Sequence, residues 1–129
     1  MTATTALILY ALISMTALTV EIVYAYASQG FGYGFSSNRP AITRTPFGLR
    51  LERAWRNQVE SAAYVLPVLA AAAASGATGP GVSTALAVVV AGRAWFVLLY
   101  YTGLPFARIL GFSAASLGSL YLAVTMLTG

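Results

Sequence analysis

Cysteine and histidine are both absent from this sequence of 129 residues. Without cysteine, the chain can form no disulfide, no thiolate metal site and no cysteine nucleophile. Without histidine, it lacks the commonest general base and the commonest metal ligand. Any chemistry must therefore come from arginine, glutamate, asparagine, serine, threonine or tyrosine, and we predict no metal site.

Charge is also scarce, since only 8% of the residues are charged and 59% are hydrophobic. The mean hydropathy is +0.79, a value that a soluble domain with an ordinary wet surface does not reach. A helix needs about 20 apolar residues to cross a bilayer, so four crossings would use roughly 80 to 90 positions. We therefore predict an integral membrane protein without a separate soluble domain.

The basic residues are all arginines, and they give a net charge of +4. They lie beside or inside apolar runs rather than on a solvated face, which argues against nucleic-acid binding. Five of them cluster around the first loop: Arg39, Arg44, Arg50, Arg53 and Arg56. Arg108 lies near the third connection. By the positive-inside rule, we expect the first and third loops to be cytoplasmic and both termini to lie outside.

The apolar runs predict an up-down bundle of four transmembrane helices, which forms one domain over residues 1–129. The predicted helices cover residues 5–28, 48–75, 81–101 and 106–127. Glycine, serine, asparagine and proline are frequent in residues 29–47, which predicts a single polar loop. Small residues at positions 70–74 and 111–118 would permit close contact between helices.

The second predicted helix begins with the most charged segment of the chain. Its polar residues fall within an arc of roughly 120° on a helical projection. They are Arg50, Arg53, Arg56, Asn57, Glu60, Tyr64 and Pro67. Each charge carried into hydrocarbon costs roughly 2.5 to 3.5 kcal/mol, so this arc is expected to face a bundle interior or an aqueous cavity. Because positive charge is in excess, we predict that it binds an anion.

A purely structural interpretation of the same residues is also open. In it, Arg56 and Glu60 neutralise each other at a spacing of four residues. Arg50 and Arg53 then extend to lipid phosphates at the membrane boundary. A single neutralised pair does not explain why further polar groups share the same face.

Arg93 lies about eight residues, or ~12 Å, from the end of the third predicted helix, deep enough to require a partner. Glu21 of the first helix is one candidate, and a direct part in the anion site is the alternative. Tyr100 lies two turns further along the same face, and Arg108 opens the fourth helix. These groups can converge near the cytoplasmic side.

Residues 53–60 read Arg-Ala-Trp-Arg-Asn-Gln-Val-Glu. They resemble the signature Arg-Ala-x-Arg-Asn-x-x-Glu of the MAPEG family, the membrane-associated proteins in eicosanoid and glutathione metabolism. A second set resembles the segment joining the family's third and fourth helices: Arg93, Tyr100, Gly103, Pro105 and Arg108. The resemblance covers the whole chain in length and helix order. The chain resembles a bacterial member of the family, which implies that it lies in the bacterial inner membrane.

The resemblance implies a homotrimer that holds glutathione between neighbouring subunits near the cytoplasmic side. It also implies transferase or peroxidase activity on a lipophilic compound that enters from the bilayer. The implied glutathione-binding residues are Arg53, Arg56, Asn57, Glu60, Arg93 and Tyr100, and the implied catalytic residue is Arg108. Guanidinium groups suit the two carboxylates of glutathione, and Glu60 suits its ammonium group. Positive charge at Arg108 would stabilise the thiolate.

Several positions depart from the family pattern. Phe96 stands where the family's prostaglandin synthase has a histidine, and Ile109 and Phe112 stand where it has hydroxyl side chains. The family's basic residue near the end of helix one has no clear counterpart before Arg39. Because fewer donors remain to activate a thiol, a non-enzymatic lipid-binding or scaffold member of the family is an alternative. A second alternative is a small multidrug exporter that uses Glu21, although it leaves the charged second helix unexplained.

Overall fold

The computed structural model describes residues 1–129 and is all-helical, with no strands. Its elements are α1 (Ala3–Gln29), α2 (Phe31–Phe35), α3 (Pro46–Ala74), α4 (Pro80–Thr102) and α5 (Pro105–Thr128). The ends of the four long helices lie within two residues of the predicted bounds. The predicted loop at 29–47 differs, because it contains the short helix α2. The rings of Phe31 and Phe35 pack against Tyr26 at centroid distances of 5.2 and 6.4 Å, a contact that loop composition does not reveal.

The helix ends follow from local sequence. Helices α3, α4 and α5 each begin with proline, whose fixed φ and missing N–H suit the first helical position. The hydroxyl of Thr45 caps α3 by accepting a hydrogen bond from Gly48 N at 3.1 Å. Gly103 ends α4 with a left-handed φ of 79°, a conformation that glycine adopts without steric cost. A very short turn therefore leads from α4 into α5.

Three of the helices are long and apolar enough to cross a bilayer. They are α1, α4 and α5, with mean hydropathies of 2.1, 2.0 and 1.6. Helix α3 has 29 residues but does not qualify by composition, because arginines and glutamates occupy its first half. The three apolar helices make the chain an integral membrane protein.

The main core lies between the four long helices. Its buried members include Tyr10 of α1, Leu69 of α3, Leu86 of α4 and Leu122 of α5. This core occupies the end of the molecule at which α1 begins and α3 finishes. The charged first half of α3 therefore lies toward the opposite end, where α4 finishes and α5 begins.

Glycines bring α4 and α5 into direct backbone contact, as the small residues at 111–118 predicted. A Cβ atom added to Gly111 would lie 2.7 Å from the carbonyl oxygen of Gly92 and 2.9 Å from the backbone nitrogen of Phe96. Real Cβ atoms do not approach backbone atoms this closely. The two helices can keep this spacing only while glycine occupies the contact.

We expect Gly111→Ala to destabilise the protein by about 1–3 kcal/mol, because the backbones of α4 and α5 must move apart. The measurement is the thermal unfolding midpoint in detergent. Gly32→Ala is the matched control, since a Cβ at Gly32 meets no atom within 4 Å. Equal midpoints for the two variants would contradict the proposed importance of the glycine contact.

Candidate functional site

Helix α3 has a buried face and an exposed charged face. The buried face consists of Gly48, Leu51, Ala54, Gln58, Ser61, Val65, Leu69 and Ala72. On the other side lie Arg53, Arg56 and Glu60, all exposed, which we call the charged face. The side chain of Arg56 is 64% exposed. The sequence predicted that this face turns toward a bundle interior or an aqueous cavity, but no helix of the same chain covers it.

The ion pairs on α3 differ from the structural interpretation of the sequence. Arg56 Nη2 donates to Glu52 Oε1 at 2.9 Å, so the Arg56–Glu60 pair of that alternative interpretation does not form. Arg53 and Glu60 form no ion pair. Arg56 reaches back by one turn instead of forward, which leaves the carboxylate of Glu60 available.

Arg50 contacts the end of α4. Its Nε donates to the carbonyl oxygen of Tyr101 at 3.1 Å, and its guanidinium carbon lies 5.4 Å from the ring centroid of Phe47. The last carbonyls of a helix lack helical partners, and a cation there also favours the helix dipole. Arg50 therefore fixes α3 to α4 rather than extending to lipid phosphates.

Glu21 pairs with Arg44, so the candidate pair between Glu21 and Arg93 is wrong. Arg44 Nη1 donates to Glu21 Oε2 at 3.1 Å and to the carbonyl oxygen of Gly48 at 3.2 Å, while Nη2 contacts Glu21 Oε1. Arg44 Nε also lies 3.4 Å from Glu52 Oε2. Partial burial opposes the charge on Arg44, but the hydrogen bond and charge of Glu21 outweigh it and raise the pKa of Arg44. Glu21 is thus engaged, whereas the exporter alternative requires a free carboxylate.

Arg93 is fully buried and bonds to two amide side chains of α3. Its Nε and Nη2 donate to Gln58 Oε1 at 3.0 and 2.9 Å, and Nη2 also donates to Asn57 Oδ1 at 2.9 Å. Its guanidinium carbon lies 4.8 Å from the ring centroid of Phe96. No carboxylate pairs with Arg93, and its Nη1 has no hydrogen-bond partner. The positive charge of Arg93 is therefore stabilised by the amide dipoles of Asn57 and Gln58 and by the ring of Phe96.

Gln58 connects Arg93 to α1 through a buried hydrogen-bond network. Gln58 Nε2 donates to Ser14 Oγ at 2.9 Å, and Ser14 Oγ donates to the carbonyl oxygen of Tyr10 at 2.9 Å. The hydroxyls of Tyr10 and Ser61 lie 2.7 Å apart. Sequence reasoning missed Gln58 and this network. The available signal was that Gln58, like Ser61, is a polar residue on the mainly apolar face of α3.

Tyr100 and Arg108 meet where α4 turns into α5. The guanidinium carbon of Arg108 lies 4.3 Å from the ring centroid of Tyr100. The Tyr100 ring packs edge-on against Phe96 at a centroid distance of 5.3 Å. The structure thus brings Arg93, Tyr100 and Arg108 together through Phe96, as the sequence predicted they could be. Arg108 makes no hydrogen bond to the protein, so its N–H donors are free.

An open apolar groove of about 410 Å³ lies between α3 and α5. It is lined by Tyr64, Val68, Phe112, Ser116, Ser119, Leu120 and Ala123. Tyr64 is one helical turn beyond Glu60, and its hydroxyl lies 3.3 Å from Ser116 Oγ. The groove therefore continues the charged face with a surface suited to a lipophilic molecule.

These features define an integral membrane protein with a buried arginine and a charged helix face. The MAPEG family model matches residues 1–128, and the chain belongs to this family. It is therefore a member of a membrane protein family of glutathione and eicosanoid metabolism. Comparisons with curated proteins and with solved structures each give no match.

Proposed function

We propose that the protein is a glutathione-binding homotrimer of four-transmembrane-helix subunits, with one glutathione site at each subunit interface. We further propose that it acts as a glutathione transferase or peroxidase on lipophilic compounds from the bilayer. The first and third loops would face the cytoplasm of a bacterial cell, with both termini outside the inner membrane. This topology places the charged half of α3 near the cytoplasmic side, where glutathione is abundant.

The exposed charged face of α3 is the observation that carries this proposal. Arg53, Arg56 and Glu60 lie on a helix between apolar neighbours, yet no part of the same chain covers them. In contact with lipid, each charge would cost roughly 2.5 to 3.5 kcal/mol. A neighbouring subunit that covers the face and leaves an aqueous crevice removes this cost. The site is incomplete in one chain and requires a second copy.

The available groups match the chemistry of glutathione. Arg53 and Arg56 offer guanidinium donors to its two carboxylates, and the unpaired carboxylate of Glu60 suits its ammonium group. Asn57 adds a neutral polar contact beside them. In this arrangement Tyr100 lines the site, and Arg93 contributes through Asn57 because it is itself fully buried. When glutathione binds, Arg56 would give up its ion pair with Glu52 and pair with a carboxylate of the ligand.

Arg108 is the residue proposed to act on the glutathione thiol. Its donors are free, and the ring of Tyr100 holds its guanidinium in place. A positive charge beside a thiol favours the thiolate, the nucleophilic form. Phe96, Ile109 and Phe112 supply no polar hydrogen to the sulfur, so Arg108 would be the main group that stabilises the thiolate. The apolar groove beyond Glu60 would receive the lipophilic acceptor.

Isothermal titration in detergent tests the binding site directly. We expect wild type to bind glutathione, and we expect Arg56→Ala and Glu60→Ala each to weaken binding at least about tenfold, because each removes a charge-assisted contact. Arg39→Ala is a suitable control, since Arg39 lies in the first loop, outside the charged face, and forms no ion pair. No binding by wild type at millimolar glutathione would end the proposal.

The non-enzymatic scaffold remains the second candidate within the family. The observation that favours it is the replacement of hydroxyl donors found in the family's prostaglandin synthase by Ile109 and Phe112, which leaves fewer groups to activate the thiol. Turnover of a chlorinated aromatic acceptor with glutathione separates the two candidates. A scaffold binds glutathione or lipid but produces no conjugate.

A further inference from the structure

Arg93 fixes the orientation of two side-chain amides. A guanidinium carries five N–H donors and no acceptor, so the amide atom that faces it must be an oxygen. Arg93 Nη2 lies 2.9 Å from Asn57 Oδ1 and 2.9 Å from Gln58 Oε1. Each amide therefore has one allowed orientation, in which its oxygen points to Arg93 and its NH2 group points away.

The two NH2 groups have different surroundings. Gln58 is 1% exposed, and its Nε2 donates to Ser14 Oγ inside the protein. Asn57 is partly exposed, and its Nδ2 donates to no acceptor in the chain. At helical spacing Asn57 lies beside Arg53 and Glu60, so its free N–H groups are at the edge of the charged face. Asn57 thus offers two donors there, while its acceptor is occupied by Arg93.

We infer that Arg93 is a positioning residue that makes Asn57 a dedicated hydrogen-bond donor. The ligand atom at Asn57 is then an oxygen acceptor, from a carboxylate or a peptide carbonyl. This inference rests on the proposed glutathione site and specifies which part of the ligand Asn57 recognises. The ammonium group of glutathione has Glu60 as its partner and gains nothing from Asn57.

The charge of Arg93 supports the same assignment. Arg93 is a buried cation without a carboxylate, and its Nη1 makes no hydrogen bond. A buried charge is costly unless it is paired. An anionic oxygen bound at Asn57 Nδ2 lies one amide group from Arg93, and the two hydrogen bonds of that amide polarise each other. The occupied site thus supplies the negative charge that the free chain lacks.

Asn57→Asp and Gln58→Glu form a matched pair, because each adds one carboxylate against the same guanidinium. Asn57→Asp also converts the free donor group into an acceptor, whereas Gln58→Glu keeps Asn57 and its orientation. With glutathione titrated into detergent-solubilised protein, we expect the Kd to rise at least about tenfold for Asn57→Asp and less than about threefold for Gln58→Glu. We expect both unliganded variants to melt at or above the wild-type temperature, because Arg93 gains an ionic partner.

Equal binding by Asn57→Asp and wild type overturns the inference alone. An equal loss in both variants also overturns it, because added negative charge and not the lost donor would then explain the effect. Absence of binding by wild type overturns the proposed function and the inference together. Should Asn57→Asp fail to fold, Asn57→Ala removes the donors without adding charge, and the same rise of about tenfold is expected.

Discussion

Replacing Gln58 with leucine should lower the free energy of unfolding by about 3–5 kcal/mol, one of the largest effects available in this chain. Gln58 Oε1 accepts hydrogen bonds from both Nε and Nη2 of Arg93. Leucine has similar bulk but no acceptor, so a fully buried guanidinium would keep only its bond to Asn57. Gln58 Oε1 is the only hydrogen-bond partner of Arg93 Nε, so this donor would be left buried and unpaired.

Two further variants show whether the loss of stability in Gln58→Leu comes from the unpaired charge of Arg93. Gln58→Glu retains an acceptor for Arg93 and should keep the stability of wild type. The double variant Gln58→Leu with Arg93→Leu removes donor and acceptor together, so it should recover a large part of the stability lost in Gln58→Leu. Unfolding can be followed by helical circular dichroism in mixed detergent micelles. Wild-type stability of Gln58→Leu would show that Gln58 does not support Arg93.

Arg108→Ala is expected to reduce glutathione conjugation about a hundredfold while changing glutathione binding less than about threefold. The reason is that Arg108 is the one cation proposed to stabilise the thiolate, and no hydroxyl at Ile109 or Phe112 can replace it. Loss of the guanidinium should also raise the pKa of the bound thiol. The ultraviolet absorbance of the thiolate, followed against pH in the bound complex, measures that change.

Arg108→Lys is the matched control because it keeps a positive charge but loses the planar fork that stacks on Tyr100. It should retain more activity than Arg108→Ala. Wild-type turnover in Arg108→Ala would remove Arg108 from the mechanism. If wild type itself binds glutathione without turnover, the scaffold candidate is the correct one.

The helix ends could be predicted because proline and glycine mark them directly. Pro46, Pro80 and Pro105 open helices, and Gly103 closes one. The charged face of α3 could also be predicted, because its residues recur at helical spacing. Local signals of this kind do not depend on how the helices pack.

The partners of the buried and half-buried charges could not be predicted in the same way. Depth made Glu21 one candidate partner for Arg93, yet Arg44 reaches it from the segment before α3. The path of a loop has no periodicity that spacing rules can use. Gln58 was overlooked because its role depends on hydrogen bonds to Arg93 and Ser14, which belong to two other helices.

The links between α1 and α3 have a consequence for biogenesis. As an isolated segment, the first half of α3 is too polar to partition readily from the translocation machinery into lipid. Arg44 pairs with both Glu21 and Glu52, and Gln58 bonds to Ser14, so two polar residues of this segment have partners on or beside α1 before α4 exists. We therefore expect α1 and α3 to leave the translocon as a paired hairpin, with α1 retained nearby until its partner emerges from the ribosome.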